Sequence, residues 1–297
     1  MDVVLALAAA FLFALGSVLQ QRAGMDEPEG EGSDAGLLLR MARRPVWLAG
    51  IAADALGFVG QAVALTIGRL AVVQPLLAAS MVFALPLGRR ITDQRISRND
   101  IAAAVLVTVA LVAFLTIADP SGGRDDAPLR EWALAGAIGV AVCVPLVIAA
   151  RRSQPAMKAA LLGTATGVLF GFSAALTKAV GDQFADDVLG VLTHWELYAL
   201  IVVGYASMTL NQLALSTGVL APALATAMAF DPITSVVIAT TLLEESLHES
   251  AGGWIATLAA LAAVLAGMVI LARTSEGAVA TKPGSGSAAD AKRVHSG

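Results

Sequence analysis

The chain has 297 residues, of which 57% are hydrophobic and 14% charged, and its mean hydropathy is +0.77. Soluble domains carry roughly a quarter charged residues, so this composition excludes an ordinary soluble enzyme. The formal net charge of −4 gives no basic excess for nucleic acid.

About 20 apolar residues in helical form cross about 30 Å of hydrocarbon. Nine runs of that kind follow one another: 3–19, 46–68, 70–88, 101–118, 132–150, 159–177, 197–217, 219–242 and 252–272. The first begins at Met-Asp without a basic flank and stops at Gln20-Gln21-Arg22, so it is expected to be a retained span and not a cleaved signal. An acidic segment, 25–36, lies in the connection to the second run and reads as a mobile loop. The second run contains Asp54 and Gln61, and the third contains Gln74, Pro75 and Pro86. Cys143 is the only cysteine and sits in the fifth run beside Pro145; a lone thiol in an apolar helix reads as packing. Asn211 and Gln212 belong to the seventh run, and Pro222, Asp231 and Pro232 to the eighth. Beyond the ninth, the tail 274–297 is rich in Gly, Ser and Ala and reads as disordered.

Lys and Arg set the orientation, because basic loops resist translocation. With the N-terminus outside and the C-terminus inside, only Arg69, Arg124, Arg130 and Lys178 of the 19 Lys and Arg residues fall outside. The expected location is the plasma (inner) membrane. Trp47, Trp132, Trp195 and Trp254 all stand at the beginnings of runs, at headgroup level. His194, His248 and His295 have no spacing that resembles a zinc motif or a catalytic triad. No enzyme and no cofactor are expected.

Asp54 and Asp231 are the informative residues. A carboxylate near the middle of a span costs about 3 kcal/mol on insertion scales, so such residues usually face a polar pathway. An internal repeat adds to this. The segment 12–19 resembles 169–176, and 61–68 resembles 211–218; both of the latter continue through a one-residue turn into Leu-Ala. Runs one to four therefore pair with runs six to nine, and five runs separate the two starts, so the second unit enters from the opposite side. Inverted repeats of this kind are a transporter architecture. The expected fold is an all-α polytopic bundle, with a first membrane repeat in 1–150, a second in 151–273 and the tail beyond. Pro75 and Pro86 are expected to break the third helix, and Pro222 and Pro232 the eighth; Pro232 would also free the carbonyl of Met228 one turn from Asp231.

The segment from Ala49-Gly50 to Ser80, with Gly57, Gln61, Pro75-Leu76, Ala78 and Ser80, resembles the second and third helices of the NIPA-type magnesium transporters, a branch of the drug/metabolite transporter superfamily. Asp93-Gln94-Arg95-Ile96 stands where that family has an Asn-Glu-Arg-Leu turn, and Leu210-Asn211-Gln212, Pro222 and Glu244-Glu245 fit more loosely. The family glutamate of the second helix aligns with Phe58 and that of the following turn with Gln94; Asp54, one turn before Phe58 on the same face, is placed to stand in for the first.

The resemblance implies a transporter of a divalent cation such as Mg2+. In that reading Asp54 and Asp231 are the ion's carboxylates, and Gln61, Gln74, Asn211 and Gln212 its polar contacts. The alternative is a proton-coupled exporter of a small metabolite or drug, with the same aspartates exchanging protons. Expected partners are membrane lipids, the solute and a second copy of the chain, with no nucleic acid.

Overall fold

Within hydrocarbon a single chain segment satisfies its own amides and carbonyls only as a helix, and helices account for most of the described residues. The computed structural model describes residues 1–25, 44–93, 96–118, 121–217, 219–247 and 251–280. In order, the helices are α1 (Asp2–Met25), α2 (Pro45–Ile67), α3 (Leu70–Leu77), α4 (Ala79–Ile91), α5 (Arg98–Ala118), α6 (Leu129–Ala150), α7 (Pro155–Asp186), α8 (Trp195–Leu215), α9 (Leu220–Thr241) and α10 (Ala251–Ala280). Two short strands, β1 (Ser121–Gly122) and β2 (Glu245–Ser246), pair antiparallel. Among the described residues, eight segments are long and apolar enough to cross a membrane, α3 and α4 together making one; α10 adds a shorter apolar stretch over Ile255–Ile270. Large apolar side chains cover the outside, as on α8, where Val202 is 67% and Tyr205 77% exposed. A surface of that kind needs lipid around it, and the protein is a polytopic membrane helical bundle.

Two boundaries differ from the sequence expectation. The sixth run ends at Thr177 because Lys178 ends the apolar stretch, yet α7 continues to Asp186 and is 32 residues long. The helix carries Lys178 inside the protein, where it finds partners. The third run is divided, but only once, at Ala78, three residues after Pro75. There the amides of Ala78 and Met81 bond to carbonyls three residues back, at 3.1 and 3.2 Å, so the junction is tightened and not open.

The other expected breaks do not occur. Pro86 lies within α4 and Pro232 within α9, both continuous; each loses one hydrogen bond without ending its helix. Pro222 stands in the first turn of α9, where an amide has no intrahelical acceptor to lose.

Glycine brings the long helices together. Gly163, Gly167 and Gly171 recur every fourth residue on one face of α7, and a Cβ on any of them would collide with the backbone of α9, at Ala223, Ala227 and Asp231. Small residues at this spacing let two backbones approach where lipid supplies no hydrophobic drive. α7 and α9 accordingly form one main packing pair; α1 with α2, and α5 with α10, form others. The turn α2–α3, the strands β1 and β2 and the far end of α7 all meet at one end of the bundle, as alternating crossings require. The opposite end carries Arg89, Arg90, Arg98, Arg151 and Arg152.

Candidate functional site

Asp54 lies in the seam between α1 and α2. Gln20 Nε2 donates to Asp54 Oδ2 at 2.5 Å, and Gly16 of α1 leaves the space, since a Cβ there would collide with the Asp54 carboxylate. The side chain is half-buried and faces α1 instead of lipid. One carboxylate and one amide therefore make a polar contact within the seam, packed into a glycine notch.

Asp231 belongs to a different seam. Its backbone packs on Gly167 and Gly171 of α7, and its carboxylate meets the Ser235 hydroxyl, one turn on, at a long 3.5 Å. α2 packs mainly on α1 and α7, whereas α9 packs mainly on α7, α10 and α3; the two aspartate-bearing helices are not a packing pair. The structure therefore does not bring Asp54 and Asp231 together. Among the described residues no group of three or more His, Cys, Asp or Glu is arranged to hold a metal ion.

The amides are dispersed as well. Gln74 is buried in α3, and Gln61 and Asn211 are half-buried on α2 and α8, helices that do not pack on one another. Gln212 is exposed, on the outward stripe of α8 that includes Ile201, Tyr205 and Met208. That stripe lies on the outside of the bundle, apart from the seams that hold Asp54 and Asp231. Gln94, where the family turn has its glutamate, lies outside the described residues.

A second polar constellation, not singled out from the sequence, surrounds the turn between α2 and α3. Glu245, at the start of β2, accepts hydrogen bonds from the amides of Leu70 at 2.8 Å and Ala71 at 2.9 Å, the first of α3. A carboxylate there satisfies orphan donors and complements the positive end of the helix dipole. Lys178 of α7 does the reverse for α2, donating from Nζ to the carbonyls of Leu65 at 3.2 Å and Gly68 at 2.9 Å. Its third contact is Asp125 Oδ1, at 2.8 Å. Both Lys178 and Glu245 are buried. Burial pushes the Glu245 carboxyl above its ordinary pKa, opposed by the amides of Ala71 and Leu70 and by the positive charges of Lys178 and Arg69.

Around this pair the connecting segments are fastened together. Arg124 forms ion pairs with Glu131 and, at 3.4 Å, with Glu244, and its guanidinium donates to the carbonyl of Leu242. Ser121 and Ser246 meet through their hydroxyls at 2.9 Å. Gly123 has φ +95°, and a Cβ on it would press on Glu245, so the loop can pass only as glycine. A polar cavity of about 340 Å³, bordered by Asp2, Arg69, Lys178 and Glu245, lies at this end. Chemically the arrangement is a lock: the second group of helices caps both sides of a turn in the first. The sequence signals were weak, a lysine closing an apolar run and an acidic pair in a turn, and their pairing is purely tertiary.

No family model and no solved structure matches the chain. A search of curated proteins finds the "Uncharacterized protein Cgl0250/cg0304" of Corynebacterium glutamicum, 32% identical over 274 residues that cover 92% of this chain and 95% of the relative. At that identity and coverage, the chain belongs to the same family as the Corynebacterium glutamicum protein Cgl0250/cg0304.

Proposed function

We propose that the protein is a membrane transporter of the drug/metabolite transporter type, not an enzyme, built as an inverted repeat in the plasma membrane with its N-terminus outside. The observation that carries this reading is Asp54, a carboxylate about 14 Å along α2 from its start, held by Gln20 in a glycine-notched seam. A carboxylate is costly there and contributes nothing to helix packing that an apolar residue would not. Support for the repeat comes from the packing: α1 packs on α2 and on α3 and α4, as α7 packs on α8 and α9. The turns after α4 and α9 agree too, each with an acidic residue in the left-handed region, Asp93 and Glu244, both at φ 54°.

The solute in this reading is a small cation, with Mg2+ first. Mg2+ keeps most of its water and needs only one or two carboxylates, so Asp54 with the Gln20 amide is a sufficient protein contribution. The separation of Asp54 from Asp231 favours a second reading, in which Asp54 binds and releases a proton during export of a metabolite and no ion bridges the two.

Reconstituted protein tests both. Vesicles loaded with a magnesium dye and a pH dye report Mg2+ entry without proton movement on the first reading. On the second, added metabolite drives proton flux without Mg2+. Asp54→Asn is expected to lower either flux at least tenfold at equal amounts of inserted protein. Full activity in Asp54→Asn removes this seam from the pathway.

A further inference from the structure

α4 and α5 are joined by a short turn at the arginine-rich end, but α4 packs mainly on α1 and α5 mainly on α10. Between them runs a groove of about 450 Å³ whose walls include Val82, Leu85 and Pro86 on one side and Ile101, Val105 and Val109 on the other. Its one hydroxyl, on Thr108, is bonded to the carbonyl of Ala104 in its own helix, so the groove offers no polar group to a ligand. Ile101, Val105 and Val109 are 56%, 57% and 62% exposed and open sideways.

Both walls end in arginine at the same end. On α4 the positions 82, 85 and 86 are followed at helical spacing by Arg89; on α5 the positions 109, 105 and 101 are followed by Arg98. Arg89, Arg90 and Arg98 are all exposed. Asp100 is buried and accepts the Ser97 amide at 2.6 Å, which leaves only Asp93 exposed in the described part of the turn. From Ile101 to Val109 the helix rises about 12 Å, close to the hydrocarbon depth of one leaflet, about 15 Å. The groove thus spans most of the depth of one leaflet, and helical spacing sets Arg89 and Arg98 beyond its arginine-rich end.

We propose that this groove is a binding site for one anionic phospholipid, its acyl chain lying between α4 and α5 and its phosphate between Arg89 and Arg98. Guanidinium groups bind phosphate oxygens with paired, charge-assisted hydrogen bonds. A zwitterionic lipid of the same chain length fills the groove equally well but carries no net charge for the arginines.

Native mass spectrometry of the full-length protein in detergent, with dioleoyl phosphatidylglycerol or dioleoyl phosphatidylcholine added, tests the assignment. One phosphatidylglycerol is expected to remain bound with at least fivefold preference, and glycerol phosphate alone is expected not to displace it. Arg89→Gln with Arg98→Gln should abolish the preference. Arg151→Gln with Arg152→Gln, in the other basic turn, should leave it intact. Val105→Trp, which fills the groove with both arginines present, should lose the bound lipid while eluting as wild type. Equal retention of the two lipids, a preference that survives the Arg89 and Arg98 changes, or displacement by glycerol phosphate would each overturn the proposal.

Discussion

Lys178 illustrates how a charge is tolerated in an apolar helix. Its ammonium has three donors and meets three acceptors, the carbonyls of Leu65 and Gly68 and the carboxylate of Asp125. Lys178→Met keeps the length of the side chain and deletes the donors, leaving the end of α2 with unsatisfied carbonyls. A buried group stripped of its partner costs about 1–3 kcal/mol. The expected result is a fall of about that size in stability, read as a lower melting temperature in detergent, while Lys158→Met, at an exposed position, changes nothing. Glu245 gives the same turn a pH dependence. Its pKa is raised by burial, so its protonated form favours folding: the contribution is complete below the ordinary glutamate value and is lost as pH rises through the raised one. Melting temperatures measured upward from about pH 4.3, the ordinary glutamate value, should decline in wild type, and Glu245→Gln should flatten that decline. An unchanged slope in the variant would assign the pH dependence to other groups.

Among the elements, α7 does the most joining. It packs on α9 through Gly163, Gly167 and Gly171, on α8, and on α2 near its far end, where Lys178 reaches the α2–α3 turn. Gly167→Leu would place a branched side chain against the carbonyl of Ala227 and the backbone of Asp231. Overpacking of this kind typically costs about 1–3 kcal/mol, and here the obstacle is backbone, which cannot rotate away. The variant is expected to express poorly or melt several degrees lower. Gly204→Leu on α8, where a Cβ has open space, is expected to behave as wild type. Equal behaviour of the two would mean that the α7–α9 contact is not set by glycine.

Eight of the nine apolar runs are legible as spans because apolar length alone specifies them, and the ninth forms a shorter apolar stretch among the described residues. Which way each helix faces is not legible, since lipid and protein interior are both apolar and leave little amphipathic signal. Gln212 is the clearest case: an amide reads as interior, yet it continues the exposed stripe of Tyr205 and Met208. Asp54 and Asp231 were recognisable as exceptional, but their separate seams depend on which glycines meet which backbone. Pro86 and Pro232 do not end their helices, because one lost hydrogen bond bends a supported helix without breaking it. The pairing of Lys178 with Glu245 is not legible because each looks ordinary in its own segment, and only the fold sets them on opposite sides of one turn.

For the molecule as a whole, the lock at the α2–α3 turn bears directly on the proposed transport. Lys178, Glu245 and the β1–β2 pair tie the second group of helices to the first at the end opposite the arginines. If solute passes between the two groups, this end must open in every cycle, and a covalent tie across it must stop transport. Ser121 and Ser246 are register partners in the antiparallel pair, with hydroxyls 2.9 Å apart. Directly opposed residues have Cα atoms about 4.5–5.5 Å apart, within the range that a disulfide spans. Ser121→Cys with Ser246→Cys, in a chain whose buried Cys143 is changed to Ala, is therefore expected to crosslink on mild oxidation. Flux through reconstituted vesicles should fall at least tenfold when the bond forms and recover on reduction, while either single cysteine stays active under both conditions. Undiminished flux in fully crosslinked protein would place the moving parts elsewhere and leave the lock a purely structural clasp.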